Sequence, residues 1–242
     1  MLNKYLNYRD YISVKIKPTL LAGIYLHIPY CKQKCTYCDF YFSTNFKNKK
    51  TIIKTMLKEI IIRKNFFKKN KIESVYFGGG TPSLLTFSEI NLLLTKISKI
   101  FKLKKKTEIT IECNPDDLSE NKLLGFKKAG INRLSIGVQS FKDNDLKFMN
   151  RSHTARESID AIKLAQKIGF KNISVDLIYG LPKQSLNDWK HNLDTLFNLG
   201  VQHFSAYSLT IEKKTALYYL VKKNKISVAS DKKMISQFKI AQ

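Results

Sequence analysis

One pattern of residues occurs three times in the second half of the chain and constrains its fold more than any other feature. A glycine is followed by an apolar residue, two polar residues, an apolar residue, a serine and a further apolar residue, at 130–136, 169–175 and 200–206. Each glycine follows an amphipathic stretch and can take the left-handed conformation that ends a helix. Each tail has the character of a short buried strand. The pattern therefore predicts stacked helix-to-strand units in a parallel sheet.

The first half of the chain fits the same scheme. Segments 23–27, 74–77 and 108–112 have the composition of strands, and apolar residues recur at helical spacing after the first two of them. Thr86 with Glu89, and Thr154 with Glu157, have the spacing of capping boxes that begin helices. A helix is expected around 215–223, and another begins near 230–231. The sequence thus predicts an α/β fold with six strand–helix units, either an open partial (β/α)6 TIM-like barrel with parallel strands or a full barrel cut short.

Charge and composition limit the classes of function. Lys and Arg total 43 against 19 Asp and Glu, a formal net charge of +24, and arginine supplies only five of the basic residues. Because nucleic-acid binders normally use arginine to read phosphate and guanine, we expect no nucleic-acid partner. Two interpretations stay open: a generally solvated lysine surface, or a basic face that contacts an anionic ligand or the periphery of a membrane. No apolar run approaches the roughly 18 residues of a membrane span.

The cysteines indicate a metal centre. Cys31, Cys35 and Cys38 have C-x3-C-x2-C spacing directly after the first strand, and thiolates ligate soft metals. Zinc would require a fourth ligand at short range, whereas three cysteines suit a cubic iron–sulfur cluster with one iron open to an exogenous ligand. A zinc site and a chance group of structural cysteines remain alternatives. With no disulfide framework and no signal-peptide pattern, the expected compartment is the cytoplasm.

Two segments carry a family resemblance. Residues 25–31 read Tyr-Leu-His-Ile-Pro-Tyr-Cys and run into the cysteine triplet, and residues 78–82 read Gly-Gly-Gly-Thr-Pro. From about residue 23 to 212 the chain resembles the radical S-adenosylmethionine (SAM) superfamily, and more narrowly the oxygen-independent coproporphyrinogen III oxidase family. The resemblance implies a radical SAM barrel with a [4Fe-4S] cluster on the three cysteines, SAM at the open iron, and an electron donor such as flavodoxin or ferredoxin.

The resemblance also assigns SAM contacts. Glu112 and Asp176 lie at or near strand ends, where a parallel barrel places its active site, and buried carboxylates there need partners such as a ligand amine, ribose hydroxyls or Arg151. Considered singly, each of these polar residues is better explained as part of a structural salt bridge, and it is their occurrence together at family positions that favours SAM contacts. A tight turn for the glycines and core packing for the tyrosines stay open as alternatives. The expected SAM-binding residues are Tyr25, Tyr37, Gly79, Gly80, Thr81, Glu112, Gln139, Arg151 and Asp176. No catalytic residue is assigned.

One position separates two branches of this family. The oxidase branch carries a further cysteine two positions after the third, and this chain has Phe40 there. Cys38-Asp39-Phe40 resembles the heme-chaperone (HemW-type) branch, whose members bind heme and hand it to acceptor proteins. The resemblance therefore implies a heme chaperone with heme as cargo and an unidentified acceptor. The alternatives are a coproporphyrinogen III oxidase-like radical SAM enzyme of porphyrin biosynthesis and a truncated, partly non-functional chain.

The expected domain organisation follows from the same reasoning. Residues 1–22 form an N-terminal extension, 23–224 the radical SAM core, and 225–242 the start of a C-terminal region that the chain does not complete. No Gly-, Ser- or Pro-rich linker divides the core, so one domain is expected.

Overall fold

The computed structural model describes residues 21–67 and 71–242, so residues 1–20 of the expected extension lie outside the described part. Strands and helices alternate along the chain. They are β1 (Ala22–Ile28), α1 (Lys49–Ile62), β2 (Ile72–Gly79), α2 (Phe87–Phe101), β3 (Glu108–Cys113), α3 (Glu120–Ala129), β4 (Arg133–Gln139), α4 (Asp143–Phe148), α5 (Ala155–Ile168), β5 (Ile173–Tyr179), α6 (Leu186–Asn198), β6 (His203–Ser208), α7 (Ala216–Lys222) and α8 (Asp231–Ala241).

The six strands form one parallel sheet in the order β1-β2-β3-β4-β5-β6. Every neighbouring pair is also consecutive in sequence, so each connection carries a helix across one face of the sheet. Within the described residues β1 and β6 do not pair with each other, and the sheet is open between them. The predicted α/β fold with a partial barrel of six parallel strands is confirmed.

Alternation along the strands separates an apolar face from a polar one. Residues such as Val75, Phe77 and Ile136 are fully buried and form a single core with the helices. Burying one such side chain contributes about 1.5–3 kcal/mol, which makes this layer the main source of stability. The residues that alternate with these core positions along each strand, including Glu112 on β3 and Asp176 on β5, point to the opposite, inner face of the sheet. The polar inner face is the one that positions the site.

Helix ends follow the local sequence signals. The capping boxes Thr86–Glu89 and Thr154–Glu157 both form, at the starts of α2 and α5. Gly130 and Gly169 end α3 and α5 with φ of +102° and +94°, the left-handed conformation predicted for the repeated glycine. In the third repeat Leu199 ends α6 and the next residue, a glycine, takes φ of +63°.

The C-terminal helix packs on the same unit as the sheet. Gln237 of α8 is fully buried, and its side-chain oxygen accepts a hydrogen bond from the Gly180 N–H at 3.0 Å after β5. Its amide nitrogen donates to Gln184 at 2.9 Å, and Trp189 of α6 donates to its carbonyl at 2.8 Å. The predicted division at residue 224 stays a prediction. Among the described helices, none has both the length and the apolar character needed to cross a bilayer.

Candidate cofactor site

A cavity of about 590 Å³ opens at the carboxyl ends of the strands. This is the end at which parallel α/β barrels bind their ligands. The three cysteines line the cavity together with eight of the nine residues expected to bind SAM; Tyr25 does not line it. Those eight are Tyr37, Gly79, Gly80, Thr81, Glu112, Gln139, Arg151 and Asp176.

The loop that carries the cysteines has no regular secondary structure and is held by the segment after α4. Gln33 donates a hydrogen bond to the carbonyl of Asn150 at 2.7 Å, and the Asn150 side chain donates back to the carbonyl of Lys34 at 2.7 Å. The backbone N–H of Thr36 donates to the carbonyl of Met149 at 3.1 Å. These bonds satisfy backbone groups of the loop and fix its path across the mouth of the barrel.

An ion pair holds the same loop from the other side. Lys32 contacts Asp116 at 2.7 Å and also Asp117, both in the short 3-10 helix that follows β3. Ser152 donates a further hydrogen bond to Asp116 at 2.9 Å. Burial alone would raise the pKa of Asp116, but the hydrogen bonds from Lys32 and Ser152 bring that pKa below its ordinary value. The first residue between the cysteines is thus anchored to the end of β3.

The three thiols have three different polar neighbours. Thr81 donates its hydroxyl to Cys31 at 3.4 Å, and Nη1 of Arg151 donates to the sulfur of Cys35 at 3.4 Å. Cys38 is next to a backbone N–H, that of Phe40. Burial raises the pKa of the Cys31 and Cys38 thiols, so metal binding would have to displace their protons. No group of three or more His, Cys, Asp or Glu in the described ranges is spaced to hold a single metal ion.

The glycine segment after β2 lies directly against the cysteine loop. A Cβ on Gly80 would be 2.6 Å from the Tyr30 carbonyl oxygen and 3.0 Å from the Cys31 sulfur. Gly79 has φ of +120°, and a Cβ there would be 2.9 Å from the ring of His27. Only glycine permits these approaches. The segment is therefore both a tight turn and one wall of the cavity.

Two carboxylates face the cavity from neighbouring parts of the inner face. Glu112 accepts hydrogen bonds from the Tyr76 hydroxyl at 2.9 Å and from the Gly79 N–H at 3.0 Å. Asp176 accepts one from Ser135 at 3.1 Å. Burial raises the pKa of both carboxyls, and the negative charge of Asp176 raises the pKa of Glu112 further. Neither forms an ion pair within the described residues.

Arg151, expected as one partner for these carboxylates, binds elsewhere. Its Nη2 donates to Asn114 at 2.7 Å and to the carbonyl of Gly137 at 2.9 Å, while Nη1 contacts Cys35. Its Nε is buried and has no hydrogen-bond partner. The expectation of a pair between Arg151 and a carboxylate is corrected: the guanidinium is held at the cysteine loop by oxygens of β4 and of the turn after β3.

Gln139 lines the cavity from a strained position. Its φ is +68°, and the pairing of β4 with β5 is irregular between Gly137 and Gln139. A bulge of this kind re-aims a side chain at the end of a strand. Tyr37, the other cavity residue from the cysteine loop, packs against a small apolar cluster that includes Leu146 and Met149, and burial raises the pKa of its hydroxyl.

Tyr25 and its neighbours form a second arrangement beside the cavity. Tyr25 is 58% exposed, its hydroxyl lies 3.1 Å from His27 Nδ1, and its ring stacks on Tyr76 at 6.0 Å. Tyr76 is the residue that reaches Glu112, and sequence reasoning missed it. The available signal was strand alternation, because Tyr76 shares the inner face of β2 with Gly78. Tyr25 remains a predicted SAM contact, but Tyr76 lies between it and Glu112, which lines the cavity.

The repeated serine was also missed as a site residue. The repeat places Ser135, Ser174 and Ser205 on the inner face of β4, β5 and β6. Ser135 donates to Asp176, Ser205 lowers the pKa of that carboxyl by a hydrogen bond, and Ser174 lies 2.8 Å from the ring of His203. The repeat thus supplies hydroxyls that solvate a buried acid.

Comparison with known proteins identifies the family. The family model for the radical SAM superfamily matches residues 25–196. The chain belongs to the radical SAM superfamily. It is 42% identical over 198 residues to the heme chaperone HemW of Buchnera aphidicola subsp. Schizaphis graminum, covering 81% of this chain and 52% of that protein. It is 35% identical over 223 residues to the heme chaperone HemW of Bacillus subtilis, covering 91% and 59%.

A solved structure gives the same placement. The coproporphyrinogen III oxidase HemN of Escherichia coli, a radical SAM enzyme, superposes with a TM-score of 0.78 at 26% identity, over 90% of this chain and 50% of that one. The superfamily barrel and the relationship to heme chaperones expected from the cysteine and glycine motifs are confirmed. This radical SAM chain spans about half the length of the curated relatives it matches.

Proposed function

We propose that this chain is the radical SAM core of a heme chaperone, which binds heme and transfers it to an acceptor protein. The observation that carries the proposal is its similarity, at 35–42% identity and over most of its length, to proteins named heme chaperone HemW. Because the match spans only 52–59% of the length of those proteins, the proposal concerns what this core contributes to such a chaperone. The cytoplasm is the proposed compartment, and a flavodoxin or ferredoxin is the proposed electron donor.

We propose a [4Fe-4S] cluster on Cys31, Cys35 and Cys38, with SAM beside it. Three features of the chain fit these groups. The three thiols line one cavity, Gly80 leaves space against Cys31 that any Cβ would fill, and the buried Nε of Arg151 has a donor to offer. When bound, the pair supplies the reductive cleavage of a sulfonium that is characteristic of the superfamily.

The residues around the cavity have distinct proposed roles toward SAM. Glu112 and Asp176 are largely buried and form no ion pair among the described residues, so an ammonium or ribose hydroxyls would relieve the cost of burying their charge. Gly79 and Gly80 permit close approach of the ligand to the backbone. Gln139, Thr81 and Tyr37 complete the wall.

Phe40 supports the chaperone over the oxidase. It lines the cavity and is 69% exposed, at the position where the resemblance places a further cysteine in the oxidase branch. A phenyl ring there can pack against a ligand but can neither ligate iron nor carry a proton. The oxidase remains the second candidate because of the structural similarity to the coproporphyrinogen III oxidase of Escherichia coli.

Two assays on the anaerobically reconstituted protein decide between the candidates. Hemin titration followed by absorbance, on this chain and on a form extended to the length of its relatives, should show saturable binding at one heme per extended chain. Incubation with coproporphyrinogen III, SAM and reductant should yield no protoporphyrinogen. Multiple turnovers of that product, or an extended protein that binds no heme, would overturn the chaperone proposal.

Matched cysteine variants test the cluster separately. Cys35→Ser should abolish the reconstituted iron, expected at about four atoms per chain, because it removes one of three ligands. Cys113→Ser should retain it, since Cys113 is the buried last residue of β3 and its thiol donates to the Ile111 carbonyl at 3.6 Å. Iron analysis and absorbance near 400 nm measure both. Retention in Cys35→Ser with loss in Cys113→Ser would refute the ligand assignment.

A further inference from the structure

The three cysteine sulfurs have polar partners of different charge. Cys31 receives a neutral hydroxyl from Thr81, and Cys38 is beside a backbone N–H. Cys35 alone is in contact with a full positive charge, Nη1 of Arg151 at 3.4 Å. Hydrogen bonds between ionised partners are about twice as strong as neutral ones, so the Arg151 contact outweighs the other two.

The guanidinium is fixed in this position by the protein itself. Nη2 donates to the Asn114 side chain at 2.7 Å and to the Gly137 carbonyl at 2.9 Å, and the buried Nε makes no hydrogen bond. No aspartate or glutamate in the described part of the chain forms an ion pair with Arg151. Its charge is therefore not neutralised by a carboxylate and acts on the neighbouring sulfur.

We propose that Arg151 is a positioning residue that orients Cys35 and raises the reduction potential of the cluster. The inference rests on the proposed cluster, and it is additional to the SAM contact assigned to Arg151 by resemblance. One-electron reduction adds one negative charge to the cluster and its thiolates. A fixed cation in contact with one thiolate stabilises the reduced form more than the oxidised form, and hydrogen bonds to sulfur act in the same direction.

The test is a potentiometric titration of the reconstituted protein without SAM, so that a changed ligand contact cannot contribute. Arg151→Gln should lower the midpoint potential, reducing the ratio of reduced to oxidised cluster at fixed potential at least tenfold, which is 59 mV for a one-electron couple. Arg151→Lys keeps the charge but cannot reach three partners at once. Its midpoint potential should lie between those of wild type and Arg151→Gln. Thr81→Val, which removes the neutral hydroxyl from Cys31, is the matched control and should shift the potential less.

Each outcome bears on the proposal. An unchanged potential in Arg151→Gln, or a shift in Thr81→Val as large as in Arg151→Gln, overturns it. If Arg151→Gln retains no cluster, Asn114→Ala decides, because it keeps the arginine but removes the acceptor that orients Nη2. If the two single variants Asn114→Ala and Arg151→Lys then both have the wild-type potential, the proposed role of Arg151 in setting that potential is overturned.

The same samples separate this inference from the proposals on which it rests. Wild-type protein without iron would overturn the proposed cluster and this inference together. A normal cluster with the expected potentials, in an extended protein that binds no heme, would overturn only the chaperone function.

Discussion

Gln139 stores backbone strain at the cavity. A non-glycine residue at φ of +68° costs about 1–2 kcal/mol relative to ordinary backbone, and such positions gather at functional sites. The strain is explained if the side chain must point into the cavity, which it lines from the end of β4. Replacing Gln139 by glycine should therefore raise stability while it weakens ligand binding.

Glycine and alanine at position 139 separate the two effects. Gln139→Gly should raise the free energy of unfolding by up to about 1 kcal/mol because glycine adopts this φ without strain. It should also weaken SAM binding through loss of the amide. Gln139→Ala should weaken binding equally but gain no stability, since alanine keeps a Cβ. Denaturant unfolding and calorimetry on reconstituted protein measure these quantities, and equal stability of the two variants would refute the strain.

At the scale of residues, a feature could be predicted when the residues that form it are close together in the sequence. The proposed cysteine ligands follow from local spacing, and Glu112 follows from its position near the end of β3, whereas Asp176 lies in the middle of β5. The partner of Arg151 could not be predicted, since its contact with Cys35 joins residues 116 positions apart. Similarly, Tyr25 and Tyr76 share the inner face, but only Tyr76 reaches Glu112, because β2 pairs directly with β3 whereas β1 lies one strand further away.

At the scale of elements, the cysteine loop depends on the segments that hold it. It has no helix or strand of its own, and Lys32 connects it to the 3-10 helix after β3 through Asp116 and Asp117. A partly exposed ion pair of this kind is worth about 1 kcal/mol or less. That small energy still controls how often the loop leaves its ordered position, since the loop has no apolar core of its own.

Two lysines of the same loop provide a matched test of this anchor. Lys32→Ala should release iron to a chelator roughly fivefold faster than wild type, because removing about 1 kcal/mol populates the open loop by that factor. Lys34→Ala should release iron at the wild-type rate, since Lys34 is exposed and forms no ion pair among the described residues. The rate is followed by the loss of absorbance near 400 nm. Equal rates in both variants would show that the ion pair does not hold the loop.

Helices and strands were predictable where the local signals were complete. The two Thr-x-x-Glu boxes and the repeated glycines placed the ends of α2, α3 and α5. The box Ser185–Asp188 was not predicted, because Asp replaces the usual Glu. Helix α4 was missed since its six residues span less than two turns and show no apolar period.

At the scale of the whole molecule, an open sheet with a polar inner face makes stability depend on pH. Burial raises the pKa values of Glu112 and Asp176, so their ionisation opposes folding as the pH rises. His153 acts in the opposite direction. It is only 3% exposed, between β4 and α5, with Nε2 3.0 Å from the Val138 carbonyl. Burial, and next the charge of Arg151, lower its pKa from 6.5 to about 4.

The histidine should make the protein acid-sensitive in a defined window. Between pH 6.5 and about 4 the unfolded chain binds a proton at His153 that the folded chain does not, so the free energy of unfolding falls as the pH falls. A difference of this size corresponds to about 3 kcal/mol at full protonation. The variant His153→Gln retains an N–H donor for the Val138 carbonyl but cannot titrate.

Because wild type and His153→Gln both contain the buried carboxylates, the difference between their stability–pH profiles reports the contribution of the histidine alone. Denaturant unfolding at pH 7, 5.5 and 4 should show wild type losing stability relative to the variant at each step. Parallel profiles would mean that His153 is protonated as readily in the fold as in the unfolded chain.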